Sequence, residues 1–155
     1  MKRRKDRVRT TSPEHQRSDH QNEQHEEVFL AVVGAHLQGL PLNHELTALG
    51  AELVRATCTQ PLYRLYELPG EAPLRPGLVR VGESNGSAIE VEVWSLLVAA
   101  FGAFVTRVPP PLVIGTVALE SGDAVKGFLC ESYAIVDAND ISHFHGWRHY
   151  LSARG

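Results

Sequence analysis

Cysteine is nearly absent from this chain: 155 residues hold only two, Cys58 and Cys130. That is too few for the disulfide framework of a small secreted domain, and nothing in the spacing suggests that the two pair. No apolar run approaches the ~18 residues of a bilayer span. The basic start is not followed by the apolar core of a secretory signal, so no membrane contact is expected and cytoplasm is the expected compartment. A phosphate loop, a dinucleotide fingerprint, a Cys-x-x-Cys pair and a Gly-x-Ser-x-Gly elbow are all missing, which removes support for the enzyme classes built on them. Excess positive charge is missing too. The formal net charge is −3, which argues against nucleic-acid binding by the folded body.

That charge is unevenly spread. The first 27 residues hold seven of the 15 Lys and Arg and six of the 18 Asp and Glu, so the remainder is net −4. Residues 1–27 carry almost no apolar side chains beyond Met1 and Val8. Such a segment cannot offset the entropy of ordering it and reads as a disordered polar tail. His15, His20 and His25 recur within it without a rigid frame for a metal. Residues 28–155 read as one folded domain.

The densest information lies in Val28 to Asn43, V-F-L-A-V-V-G-A-H-L-Q-G-L-P-L-N. A wholly apolar strand, Val28 to Val33, stops at Gly34, and His36 follows. A rigid strand, a permissive glycine and a group that titrates near neutral pH are the parts of an acid–base site. The remaining expected elements are a helix from His44 to Leu49, capped by Asn43 and closed by Gly50, and strands at Glu52–Thr57, Leu62–Leu68 and Gly77–Val81. Pro69 to Pro76 reads as an exposed loop. Ala88 to Trp94 alternates, with Glu90, Glu92 and Trp94 on one face. A helix from Leu96 to Val105 ends at three prolines, and a hairpin follows, Leu112–Glu120 and Ala124–Tyr133, turning at Ser121-Gly122-Asp123. Asp140 is expected to cap a last helix, Ile141 to Ser152, whose His145 and His149 have metal-like spacing but lack the glutamate of the zinc-protease signature. The order is not a repeating β-α-β unit, so the fold class is α+β, a small mixed and mostly antiparallel sheet with flanking helices.

His36 is the candidate catalytic residue. Arg64, between Leu62, Tyr63 and Leu65, is a candidate for holding a carboxylate bidentately, and Lys126 in the hairpin is a second cation. Glu90 and Glu92 are a carboxylate pair that could do acid–base work or simply face solvent.

V-V-G-A-H-L-Q-G-L-P-L-N (Val32 to Asn43), L-T-A-L-G-A-E-L-V-R-A-T (Leu46 to Thr57) and I-E-V-E-V-W (Ile89 to Trp94) together resemble the C-terminal domain of allophanate hydrolase. V-K-G-F-L-C-E (Val125 to Glu131) and D-I-S-H-F-H-G-W-R-H-Y-L (Asp140 to Leu151) extend the resemblance over nearly the whole body. It implies a γ-glutamylcyclotransferase-like fold, a small mixed, mostly antiparallel barrel with helices outside. It also implies release of CO2 from N-carboxycarbamate, the product of allophanate deamination, with His36 as proton donor. Gly34, Ala35 and Leu37 would then cradle a small anionic substrate through backbone amides. Asn43, Tyr63, Arg64, Glu90 and Lys126 are the other candidate substrate contacts, with no cofactor and no metal. Cyclotransferases carry an acid shortly after the helix that follows their central strand; here Phe101 to Thr106 reads F-G-A-F-V-T and has none. The amidase half is absent from these residues. A separate amidase, docked through the apolar surface at Leu112 to Ile114, and a second copy of the chain are the partner candidates; a purely assembling role is the first alternative reading, and a γ-glutamylcyclotransferase-like enzyme is the second.

Overall fold

The computed structural model describes residues 26–155. Residues 1–25 of the expected polar tail, with the three early histidines, lie outside the described residues, whereas Glu26 O accepts the Val98 N–H and Glu27 begins the first strand, so the folded part starts before Val28.

The chain runs β1 (Glu27–Val32), α1 (Asn43–Thr47), β2 (Glu52–Cys58), β3 (Tyr63–Glu67), β4 (Pro76–Arg80), β5 (Glu90–Leu97), α2 (Val98–Val105), β6 (Leu112–Ala118), β7 (Ala124–Cys130), β8 (Asn139–Asp140) and α3 (Trp147–Arg154). Single 3-10 turns occupy Ser132–Ile135 and Ser142–Phe144. Five strands form one sheet in the order β2-β5-β1-β7-β6, and three form another in the order β4-β3-β8. All pairings are antiparallel except β1 with β7. The apolar run of β1 is explained in its second half: it is the central strand, flanked on both edges, and Leu30, Ala31 and Val32 are buried, while Phe29 stays 43% exposed.

The expected barrel closes at one corner only. The large sheet curls until its two edge strands meet just beyond their ends, where Thr59 bridges Leu119, Gln60 N–H donates to Ala118 O and Glu120 N–H donates to Cys58 O. Tyr63 ties the small sheet to the same corner. It bridges Ser87, and its phenol oxygen accepts the Ala118 N–H at 2.9 Å.

Two expected elements differ. Leu96 and Leu97 belong to β5 rather than to the helix, because they pair with Val28 and Glu27 of β1. The last helix begins at Trp147, not Ile141. Tertiary hydrogen bonds claim the preceding segment: Asp140 pairs with Tyr66, Ile141 N–H donates to Leu65 O, and the Ser142 hydroxyl accepts the Leu65 N–H. His145 then adopts a left-handed conformation (φ 59°) that separates the 3-10 turn from α3. Asp140 still acts as a local cap, accepting the Ser142 N–H at 2.9 Å. No helix of the described residues is long and apolar enough to cross a membrane.

Candidate functional site

β1 ends at Val32 and delivers the chain into a buried loop, Gly34 to Leu37. Gly34 is obligatory there for a steric reason. A Cβ on it would lie 2.3 Å from Pro76 Cδ, so the start of β4 packs directly on the loop backbone. The loop turns on itself through Leu37 N–H to Gly34 O, and Leu42 N–H donates to Ala35 O. The N–H groups of Ala35 and His36 donate to no described residue. Buried amides without a partner are uncommon, and successive ones form a concavity suited to an anion.

His36 is buried between two aromatic rings. It stacks on Phe128 (centroids 5.1 Å, 16° between planes) and meets Phe104 edge-on at 5.2 Å. Its Nε2 lies 3.0 Å from Glu45 Oε2, on α1. Asn43 does not cap α1 as expected; its side-chain amide donates to His36 O at 2.8 Å and so fixes the backbone of the same residue. Burial lowers the His36 pKa from its ordinary value, the Glu45 carboxylate opposes that, and the nearby Arg75 charge adds to the lowering. The free protein therefore holds His36 neutral at neutral pH.

Two small crevices, of about 20 and 30 Å³, open at His36. Arg75 lines both, and Arg107 lines the second. Neither arginine forms an ion pair with a described residue. A groove of about 280 Å³ between Pro69–Leu74 and Pro109–Leu112 continues from Arg75. Sequence reasoning missed both arginines, because Arg75 sits in a proline-rich loop that reads as exposed and Arg107 follows a helix.

The other expected contacts are dispersed. Arg64 donates to Asp140 Oδ2 at 2.6 Å and also to Asn85 O, away from both crevices. Tyr63 is fully buried and its hydroxyl serves the backbone of Ala118. Lys126 is exposed on β7, where its Nζ lies 3.4 Å from Thr116 Oγ1. Glu90 is exposed and lies 3.1 Å from His149 Nε2, across the loop from His36. Its neighbour Glu92 is buried (7% exposed) rather than solvent-facing. Both belong to a larger cavity of about 380 Å³, with Cys58, Glu120, Trp147 and Arg148 in its walls. The Cys58 thiol there has its pKa raised by burial and by the charges of Glu120 and Glu90, so it is not activated as a nucleophile. Both cysteines are free thiols. Among the described residues no group of three His, Cys, Asp or Glu side chains is placed to hold a metal.

Comparison with known proteins places this geometry. The family model "Allophanate hydrolase C-terminal domain" matches residues 28–152. Urea amidolyase of Saccharomyces cerevisiae is 49% identical over 127 residues, which is 80% of this chain and 7% of that protein. Allophanate hydrolase of Kluyveromyces lactis superposes with a TM-score of 0.81 at 44% identity, over 84% of this chain and 22% of that one. A uropathogenic E. coli-specific protein of known structure gives 0.75 at 32% identity, covering 82% of this chain and 97% of its own. A gamma-glutamyl cyclotransferase shares the fold alone, with a TM-score of 0.51 at 10% identity over 74% of this chain and 70% of that one. The chain thus spans less than a tenth of the length of the curated relatives that it matches.

Proposed function

The chain belongs to the family of allophanate hydrolase C-terminal domains, and on that premise we propose that it releases CO2 from N-carboxycarbamate, with His36 as the proton donor. The substrate is supplied by an amidase, on the same chain or a separate one. The observation that carries this reading is the position of His36: a buried imidazole next to two amides that have no partner among the described residues, with Arg75 lining both crevices and Arg107 one of them.

The chemistry follows from charge. N-carboxycarbamate is a dianion that must be held by amides and cations. Ala35 and His36 N–H groups take one carboxylate. Arg75, with Arg107 behind it, neutralises the second, in place of Arg64 and Lys126, which lie elsewhere. Bringing two negative charges beside His36 reverses the balance that keeps the imidazole neutral. The bound substrate and Glu45 together raise its pKa, and it becomes an imidazolium stacked on Phe128. The C–N bond to one carboxylate then breaks. Its electron pair stays on nitrogen, nitrogen takes the proton from His36, and CO2 leaves, which returns the histidine to its neutral form. The carbamate that remains decomposes by the same protonation. Phe104, in the segment where a cyclotransferase carries its acid, packs on His36 instead.

The test supplies allophanate to an amidase lacking this domain and follows CO2 release with and without the purified protein. Wild-type protein accelerates release, and His36→Ala reduces the acceleration by about 10²-fold, the ordinary worth of a positioned general acid. Equal acceleration by the two proteins would refute the role of His36. Retention of an amidase on the immobilised protein with no effect on CO2 release would favour the assembling role.

A further inference from the structure

The loop that carries His36 is held from the side opposite its chemistry. Gln38 is an exposed residue, yet its peptide is gripped at both ends. Its N–H donates to Glu92 Oε1 at 2.7 Å, and its carbonyl accepts from Arg148 Nη2 at 2.7 Å. Arg148 Nη2 also donates to Glu92 Oε2 at 3.1 Å, which closes a ring of carboxylate, guanidinium and peptide. The Trp94 indole N–H, 3.3 Å from Glu92 Oε1, is a further donor to the carboxylate.

Three distant parts of the sequence meet in this ring. Glu92 lies on β5 directly opposite Val32, the last residue of β1. Arg148 lies on α3, 110 residues beyond Gln38. The loop therefore leaves the sheet at Val32 and is pinned again at Gln38, and the residues between the two anchors are those that present His36 and the free amides. A buried carboxylate is a poor way to gain stability, because desolvation cancels most of the attraction to its partner. An apolar side chain would fill the same space on a half-covered strand, and it could not read a peptide N–H. The pair instead holds the N–H and the carbonyl of one residue, Gln38, which gives up stability for a fixed loop.

We propose that Glu92 and Arg148 are positioning residues for His36: they lock the Gln38 peptide and thereby set the spacing between the imidazole and the Ala35 and His36 amides. The proposal rests on the reading of His36 given above, but it can be tested without turnover. Neither residue touches the His36 crevices, and each acts through the loop.

The experiment uses the whole chain with two substitutions, Arg148→Met and Glu92→Gln, and Arg148→Lys as the conservative control. Glu92→Gln keeps the shape and turns an acceptor into a donor facing Arg148. Hydrogen exchange of the Gln38 amide, NMR titration of the His36 ring and affinity for malonate are measured alongside thermal stability. Malonate has the two carboxylates and the one-atom bridge of N-carboxycarbamate. Arg148→Met and Glu92→Gln should lose protection at Gln38, bring the His36 titration back toward that of an exposed histidine and weaken malonate at least tenfold. Arg148→Lys should restore part of each. Variants that melt earlier but keep the wild-type His36 titration and Gln38 protection would overturn the proposal, since a merely structural ion pair behaves that way. Absence of CO2 release by the wild type would sink the catalytic reading and leave the loop measurements to decide this one.

Discussion

The two sides of the Gly34–Gln38 loop have opposite character. On the His36 side the walls are aromatic, the space is about 20–30 Å³, and the facing charges include Arg75 and Arg107. On the Gln38 side the cavity is about 380 Å³, and three glutamates, Glu90, Glu92 and Glu120, face one arginine. The larger cavity is not the one suited to an anion. Size favours the Gln38 side, whereas charge and the amides without a described partner favour the side with the imidazole, which is the side of the proposed site. In the positioning role proposed for Glu92 and Arg148, the acidic side holds in place the loop that presents the imidazole on the other.

The charge that distinguishes the His36 side can be removed directly. Arg75→Ala should weaken malonate by about 10–100-fold, the worth of one charge-assisted contact to a carboxylate. Arg64→Ala and Lys126→Ala should change that affinity less than about twofold, since Arg64 is tied to Asp140 and Lys126 is exposed on β7. Isothermal titration at low salt measures all three. Equal losses across the three arms would show that binding follows overall charge rather than this crevice.

The second test acts on the loop itself. Gly34→Ala places a Cβ 2.3 Å from Pro76 Cδ, in a contact between loop and β4 that has no slack. The clash forces β4 away from the loop and costs about 1–3 kcal/mol of stability, as overpacking does. Chemical denaturation reads it. An unchanged midpoint would mean that the loop and Pro76 can part freely, and that the crevice is not built by their contact.

What the sequence made legible follows from how local each signal is. The central strand, Gly34 and His36 were readable because an apolar run, a turn residue and a lone titratable group lie within ten residues. Arg75 was not readable, because its value comes from Pro76 packing on Gly34 some forty residues away. Glu92 was misplaced by a rule that is sound in isolation. Alternation on β5 predicts a solvent face for Glu90 and Glu92, with Trp94 on the same face as a sign of partial cover, and Glu90 alone is exposed. The returning loop and α3 bond to Glu92 and cover it. The start of the last helix moved for the same kind of reason, since Ser142 and Ile141 find partners on β3 that outweigh local helical preference. Asn43 shows a signal read correctly in type and wrongly in target: a side-chain amide that satisfies backbone, but at His36 O rather than at the helix end.

The smallest expected effect is also the one that joins the two states of His36. In the free protein its pKa lies below the ordinary value of about 6.5. Between the folded and unfolded pKa values the unfolded chain binds the extra proton. His36 therefore contributes its full share of stability above about pH 6.5, and that share shrinks as the pH falls toward the folded-state pKa. The charged and titratable groups around it are Glu45, Arg75 and His44, with Arg107 lining the same crevice. Denaturation midpoints should decline from pH 7 to pH 5, and His36→Asn should flatten the part of that decline that belongs to this residue. A bound dicarboxylate inverts the sign. It raises the His36 pKa, so malonate binding takes up a proton and tightens as the pH falls through the liganded pKa, while the unliganded protein becomes less stable. Calorimetry in buffers of different ionisation enthalpy detects that proton. If wild type takes up none, the anion does not reach the imidazole, and the contrast between the two sides of the loop loses its functional meaning.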